Sequence, residues 1–222
     1  VTQFFAELVL DGPGEAFDDG KQGIVQTFPT GALAPITRIV LAPLANAGFT
    51  ADRTKLCPDP VTPINSVNLQ SDVYCPASGS PVTDDVITKD PQGAFPNQLQ
   101  ALLVRGQQVL VPSIGAGPEP PVKFNVNVQG LVHVIDRATA GDVPALTTNL
   151  NAQIKAETQP NPAEGSLARL FVNDLVALDA TVDGRTVLFV SRGGNYVLRA
   201  TRDASGALTI GAPDGVVRFH SG

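Results

Sequence analysis

The stretch LVALDATVDGRTVLFVSRGGNYVLRAT, residues 175–201, decides the fold of this chain. It holds three apolar runs, separated by the turn residues Asp183-Gly184-Arg185 and by a Gly-Gly-Asn turn. Asp-Gly between two β-rich runs is a strong hairpin signal, because a tight turn needs a positive φ that glycine adopts at little cost. The stretch therefore predicts an antiparallel meander of three strands, with residues 207–210 as a fourth.

The same pattern occurs 78 residues earlier, in LQALLVRGQQVLVPSIG, residues 99–115. Residues 50–56 are interpreted as a third, degenerate copy of the hairpin. Such repeats are typical of architectures built from one supersecondary unit, so the sequence predicts an all-β fold of repeated meanders. Six positions of the two clear copies correspond, namely Val104, Gly106, Val109, Val111, Ser113 and Gly115 with Val182, Gly184, Val187, Phe189, Ser191 and Gly193.

Composition supports short strands over long helices. The 222 residues are 43% hydrophobic and include 21 Gly and 19 Pro, which divide the chain into short segments. One short helix is expected within TTNLNAQIKAETQP, residues 147–160, because Leu150 and Ile154 are spaced i, i+4. Thr148 or Asn149 is its expected N-cap, and Pro160 its stop.

The net charge argues against one class of partner, and the length of the apolar runs argues against another. A net charge of −6 and a pI near 4.8 argue against a nucleic-acid surface, which needs clustered Lys and Arg. No apolar run approaches the roughly 18–20 residues that cross a bilayer. We therefore expect neither nucleic-acid binding nor a membrane span.

The two cysteines, Cys57 and Cys75, lie in a segment rich in Pro, Asn and Ser. They form no CxxC, Cys/His or CxxCH pattern. A disulfide between them, stapling an ordered insertion, is favoured over two free buried thiols. It implies an oxidising, extracytoplasmic compartment.

The acidic segment DGPGEAFDDG, residues 11–20, is the one candidate metal site. Asp11, Glu15, Asp18 and Asp19 offer oxygen ligands of the kind that Ca²⁺ prefers. Their spacing matches no known calcium loop, so an ordinary solvated turn is favoured. Ca²⁺ remains the only cofactor considered.

No catalytic centre is predicted. His133 lies in an apolar strand and is interpreted as a structural histidine, whereas His220 would need partners from outside the chain. No phosphate-binding loop, nucleophile elbow or metalloprotease motif is present. Enzymatic activity of this chain alone is therefore not favoured.

The hairpins resemble a known type of propeller blade. The runs VLVPS (109–113) and TVLFVS (186–191) match the second strand of the YVTN-type β-propeller blade, and LVHVID (131–136) matches its third. The resemblance covers residues 98–137 and 175–215 well and 45–57 in part. The Tyr-Val-Thr-Asn tetrapeptide itself is absent.

This resemblance implies a partial β-propeller with a disulfide-stapled insertion and one short helix. Blades are expected at about 36–95, 96–146 and 170–215, with insertions at 58–95, 115–129 and 144–169. Such propellers have about six to eight four-stranded blades around a channel. Three blades do not close a ring, so we expect the chain to pack against more protein: its own continuation, a second copy or another subunit.

By this resemblance, the favoured function is that of a secreted, periplasmic or cell-surface binding or scaffold module that is part of a larger protein or complex. YVTN-type propellers occur in bacterial extracytoplasmic proteins, sometimes beside redox domains, which implies a c-type cytochrome as a redox partner. One alternative is a segment of a propeller enzyme with a metal or cofactor in its channel. A second alternative is a surface-coat or adhesive β-sandwich.

Overall fold

The computed structural model describes residues 1–31, 34, 37–51, 90–119, 127–156 and 171–210. Of these residues, 47% lie in β-strands and 8% in helices. The strands form antiparallel sheets. The expected predominance of β-structure is confirmed for this part of the chain.

The first sheet is formed near the N-terminus, and its third strand lies within the blade expected at 36–95. The chain reverses direction at a turn around Gly31, whose φ is +89°, and the third strand of the sheet pairs antiparallel with the second. A two-stranded pair follows it in the sequence. The strands of the first sheet are β1 (Glu7–Leu8), β2 (Lys21–Thr27) and β3 (Thr37–Leu41), and the pair is β4 (Thr50–Ala51) with β5 (Asp90–Pro91).

The central sheet is built around two long antiparallel strands. The long strands pair continuously from Gln108↔Asp136 to Ala116↔Val128. This pairing takes up both ends of the insertion expected at 115–129. The six strands are β6 (Phe95–Asn97), β7 (Leu103–Arg105), β8 (Gln108–Ala116), β9 (Val128–Asp136), β10 (Gly141–Asp142) and β11 (Thr148–Asn149).

The last sheet is the predicted meander with its fourth strand. Its strands pair in sequence order, and the β12–β13 turn contains Gly184 with φ of +70°. The matching turn between β7 and β8 contains Gly106 with φ of +60°. Glycine thus supplies the positive φ in both copies. The strands are β12 (Leu175–Ala180), β13 (Thr186–Ser191), β14 (Tyr196–Arg202) and β15 (Leu208–Ile210).

Pro112 interrupts one edge of the central sheet. Residues 108–110 of β8 pair with β7 and residues 114–116 pair with β6, so residues 111–113 have no strand partner on that side. Proline has no N–H to donate to a ladder. Residues 98–102 leave the sheet here: Leu99 N donates to Phe4 O at 3.0 Å, and Gln100 Nε2 donates to Asp174 Oδ1 at 2.8 Å.

The sheets stack face to face, with the central sheet covered on both sides. One face of β8 and β9, including Leu110 and Val132, packs into a core with the last sheet. The opposite face, including Val111 and Ile135, packs against β2 and β3 of the first sheet. Apolar residues therefore alternate onto two covered faces, as strands buried on both sides require.

The sequence repeat also sets which way each sheet faces. Val109 and Val111 point towards the first sheet, and their counterparts Val187 and Phe189 point towards the central sheet. Equivalent residues therefore face the preceding sheet in both copies.

The helix α1 (Leu150–Ala156) forms where the sequence predicts it. Asn149 Oδ1 accepts hydrogen bonds from Asn151 N at 3.0 Å and Ala152 N at 3.4 Å, which is N-cap geometry. Gln153 joins the helix to β15, because its Nε2 donates to Leu208 O and its Oε1 accepts from Ile210 N. The helix thus connects the central and last sheets.

Several predictions lie outside the described residues. These are the Cys57–Cys75 disulfide, most of the degenerate hairpin at 50–56, the Pro160 stop and His220. The described part of the chain shows antiparallel sheets of three, six, four and two strands, the helix α1 and a short 3-10 helix, Pro144–Leu146. The partial β-propeller stays a prediction.

Candidate functional site

Hairpin turns of the central and last sheets meet at one end of the stack and enclose a groove. The groove consists of two adjoining cavities of about 460 Å³ and 340 Å³. Residues 105–108, 182–185 and 202–204 line it, and we refer to it as the turn groove. Its position follows from the hairpin registers, which bring the β7–β8, β12–β13 and β14–β15 turns to the same end.

Three arginines border the turn groove. Arg105 forms an ion pair within the protein, since its Nη2 donates to Asp179 Oδ1 at 2.9 Å. Arg202 donates through Nη2 to Gln108 Oε1, but its Nε is buried and has no hydrogen-bond partner among the described residues. Arg185 is exposed, and its guanidinium has no hydrogen-bond or ion-pair partner in the described part of the chain.

The two aspartates that line the groove accept hydrogen bonds from residues of their own turns. Asp183 Oδ1 accepts from Thr181 Oγ1 at 2.6 Å and from Arg185 N at 3.0 Å. These hydrogen bonds lower the pKa of Asp183. The pKa of Asp203 is lowered in the same way, first by the Ser205 hydroxyl and then by backbone N–H groups of its turn.

The groove offers charged hydrogen-bond donors, and the carboxylates of Asp183 and Asp203 are already hydrogen-bonded within their own turns. Its described lining contains no His, Cys, Ser or Lys. A guanidinium is always protonated and provides a planar fork of N–H donors. The arrangement is therefore suited to binding a hydrogen-bond acceptor.

His133 is buried in a polar contact between the central and first sheets. Its side chain is 0% exposed, and Nε2 donates to Ala42 O at 3.0 Å. Asp142 Oδ2 accepts from Ala42 N at 3.0 Å, so the two side chains hold both backbone groups of one residue. Burial lowers the pKa of His133 and raises the pKa of Asp142, each opposed by the charge of the other.

The position of His133 and Asp142 between two sheets favours a structural role for both side chains. Ser113 lies on the same face of the central sheet and is also 0% exposed. A substrate cannot reach side chains that are covered by the first sheet. The interpretation of His133 as a structural histidine agrees with this placement.

The four acidic residues considered for Ca²⁺ are separated by burial. Asp18 is 4% exposed, whereas Asp11, Glu15 and Asp19 are exposed. Among the described residues, no group of three or more His, Cys, Asp or Glu side chains is placed to hold a metal ion. The structure therefore does not bring the predicted ligand set together.

Asp18 is held by hydrogen-bond donors instead. Its Oδ2 accepts from Gln92 Nε2 at 2.6 Å and Gly93 N at 2.9 Å, and its Oδ1 accepts from Glu119 N at 3.1 Å. Glu119 Oε1 in turn accepts from Asp18 N at 3.1 Å. The carboxylate thus fastens the 11–20 turn to two segments of the chain more than 70 residues away in sequence.

The outer face of the last sheet is the other surface of interest. Leu188 is 43% exposed at its centre, and it lies between Asp179 and Arg199 on the neighbouring strands. Val190, Ala177 and Val197 form the next cross-strand row. The face is therefore apolar along β13 with one charged residue on each side of Leu188.

Comparison with known proteins gives no assignment: no protein-family model, curated protein or solved structure matches the chain. In the part of the chain that the structure describes, no helix has the length and apolar character needed to cross a membrane.

Sequence reasoning found the turns but not the groove. The sequence predicts Asp183 and Arg185 as turn residues, and the structure places both in the groove with Arg202. Arg105 corresponds to Asp183 in the repeat and Arg202 ends a different strand, so the repeat gives no signal that these two arginines are close. Asp142 carried no such signal, because β10 is only two residues long.

Proposed function

We propose that this chain is an extracytoplasmic binding or scaffold module, built as part of a β-propeller, and that its last sheet docks a further sheet of protein. The favoured partner surface is another antiparallel sheet of the same construction, supplied by the chain's own continuation, a second copy or another subunit. A c-type cytochrome as redox partner and the extracytoplasmic location belong to the same proposal. Both rest on the YVTN-type resemblance, and the location also on the expected Cys57–Cys75 disulfide.

The observation that carries the proposal is a contrast between two equivalent residues. Leu110 of the central sheet is 0% exposed, because the following sheet covers it. Leu188 is its counterpart 78 residues later and is 43% exposed on the corresponding face. The leucine at this position of the repeat is thus buried in the central sheet, which a following sheet covers, and exposed in the last sheet.

The flanking residues indicate what kind of contact the partner makes. In the central sheet, Leu110 lies between Leu103 and Val134, which are both apolar. In the last sheet, Asp179 and Arg199 take these two places beside Leu188. A partner sheet would therefore meet an apolar centre with a polar rim, which is the usual composition of a protein interface.

Sedimentation velocity over a range of concentrations tests the proposal. We expect the 222-residue chain to self-associate through the outer face, and Leu188→Glu to shift it towards the 23.1 kDa monomer. Val182→Glu is the matched control, because Val182 lies at the tip of a turn and is fully exposed. A monomer at all concentrations, unchanged by Leu188→Glu, would contradict a docking role for this face.

A further inference from the structure

We infer that the turn groove is a binding site for a carboxylate group, held by Arg202 and Arg185. The inference is independent of the proposed docking of the last sheet, since the groove lies at the turn end of the stack and the docking surface lies on a sheet face. It concerns a small organic acid or an acidic peptide, which share this chemistry.

The guanidinium of Arg202 is positioned by the central sheet. Gln108 Oε1 accepts from Arg202 Nη2, and Gln108 Nε2 donates to Ser205 O at 3.1 Å. Gly206 leaves room for this glutamine, since a Cβ there would overlap the Gln108 side chain. The Arg202 fork is therefore held in one orientation before any ligand arrives, which lowers the entropic cost of binding.

Arg202 retains a donor that the described residues leave unused. Its Nη2 donates to Gln108, whereas its Nη1 lies beside Gly184 in the groove lining, 3.5 Å from the position of a Cβ there, and has no hydrogen-bond partner among the described residues. A carboxylate in the groove accepts from this nitrogen and from the exposed guanidinium of Arg185.

Gly184 forms the floor of the binding position. It is buried with φ of +70°, and the atoms nearest to a Cβ placed there are Arg202 Nη1 at 3.5 Å and Arg105 Cβ at 4.0 Å. Gly184 lines both cavities of the groove, so these two arginines lie on either side of it. Arg185 follows directly in the sequence and contributes an exposed guanidinium at the mouth of the groove.

The local charge selects a carboxylate over a phosphate. Three arginines, 105, 185 and 202, are balanced by three aspartates, 179, 183 and 203. A doubly charged phosphate would lie beside Asp183 and Asp203 without an excess of positive charge. A singly charged, planar carboxylate matches the guanidinium geometry with less repulsion.

Nuclear magnetic resonance of arginine Nε–Hε groups tests the site directly. The folded, ¹⁵N-labelled chain is titrated with acetate and, separately, with a tetraglutamate peptide to about 20 mM, at constant ionic strength. We expect saturable shifts of the Arg202 and Arg185 signals with at least one of these probes. Acetate alone would indicate a small-acid site, and the peptide alone an acidic-segment site.

Three variants separate binding from general charge effects. Arg202→Lys keeps the charge but loses the planar fork, and it should weaken binding about tenfold or more. Arg185→Gln changes an exposed residue that the fold does not use, and it should also weaken binding. Arg192→Gln is the control, because Arg192 pairs with Asp174 at the opposite end of the last sheet and should bind the probe as the parent does.

Two results would overturn the inference. One is the absence of saturable shifts with both probes. The other is equal binding by the parent and by Arg185→Gln, which is expected to fold, since that would show that the guanidinium is not used. Inorganic phosphate binding more tightly than either probe would overturn the assignment to a carboxylate.

Discussion

At the scale of single residues, His133 shows how one position departs from the repeat. Val111 pairs with His133 in the central sheet, and its counterpart Phe189 pairs with Leu198 in the last sheet. An imidazole therefore replaces an aliphatic side chain at a buried site. Its hydrogen bond to Ala42 joins the first sheet to the central one.

The burial of His133 makes stability sensitive to acid. Its pKa is lowered in the folded chain, so below about pH 6.5 the unfolded chain binds more protons and stability falls. The slope is at most about 1.4 kcal/mol per pH unit for one proton. We expect His133→Gln to lose less stability than the parent between pH 7.5 and 5.5, measured by urea unfolding.

Asp142→Asn is the control for this pH dependence. The raised pKa of Asp142 acts with the opposite sign, because the folded chain keeps that proton at a higher pH and gains stability as the pH falls through the raised value. Asp142→Asn also removes the charge that favours protonated His133, so its acid sensitivity should be at least that of the parent. Equal pH slopes for the parent and His133→Gln would show that the histidine does not titrate as proposed.

Asp18 and Asp19 form a matched pair for a second test. Asp18→Ala leaves three donors without their acceptor, including two backbone N–H groups, and should lower the free energy of unfolding by about 3 kcal/mol. Asp19→Ala changes an exposed neighbour and should stay within about 0.5 kcal/mol of the parent. Denaturant unfolding measures both, and similar values for the two variants would argue against the carboxylate contacts described here.

At the scale of secondary-structure elements, α1 is fixed more by its contacts than by its length. It has seven residues, which is too short for stability as an isolated helix. Asn149 caps its first turn, and the same side chain donates through Nδ2 to Ala47 O and to Gln129 Oε1. The cap thus also joins the helix to the segment after β3.

Removal of this cap should destabilise the fold. Asn149→Ala loses the N-cap and leaves a buried carbonyl without its donor, and we expect a loss of about 2 kcal/mol in the free energy of unfolding. Asn149→Ser restores an N-cap oxygen but not the reach to Ala47, so it should recover part of the loss. Thermal and urea unfolding with circular dichroism would show this order, and an Ala variant as stable as the parent would contradict it.

The elements that the sequence predicts are those governed by local rules. The hairpins around Gly106 and Gly184 and the Asn149 cap each depend on neighbouring residues, so short patterns identify them. The Asp18 contacts and the turn groove depend on residues far apart in sequence, such as Gln92 or the Arg105 and Arg202 pair. Their proximity follows from strand register and sheet stacking, which no short pattern contains.

At the scale of the whole molecule, the stack repeats one packing relation. Each sheet presents equivalent residues to the preceding sheet, and the central sheet is covered on both faces. The last sheet has only its inner face covered by the other described sheets. The same leucine position therefore has different energetic importance in the two copies.

A paired substitution measures this difference. Leu110→Ala removes a fully buried side chain and should lower the free energy of unfolding by about 3 kcal/mol. Leu188→Ala should cost less than about 1 kcal/mol at concentrations where the chain is monomeric. Equal costs in urea unfolding would mean that the outer face is as well covered as the inner one.

The missing strand partner beside Pro112 has a consequence for local unfolding of the molecule. Residues 98–102 leave the sheet there and are hydrogen-bonded both to Phe4, near the N-terminus, and to Asp174, ahead of the last sheet. A sheet cannot separate from the stack without breaking one of these bonds, which ties local opening to opening of its neighbours. Amide protons in the three sheets should therefore exchange with solvent at similar rates, as one cooperative unit, and a last sheet that exchanged far faster than the others would show that the tie is weak.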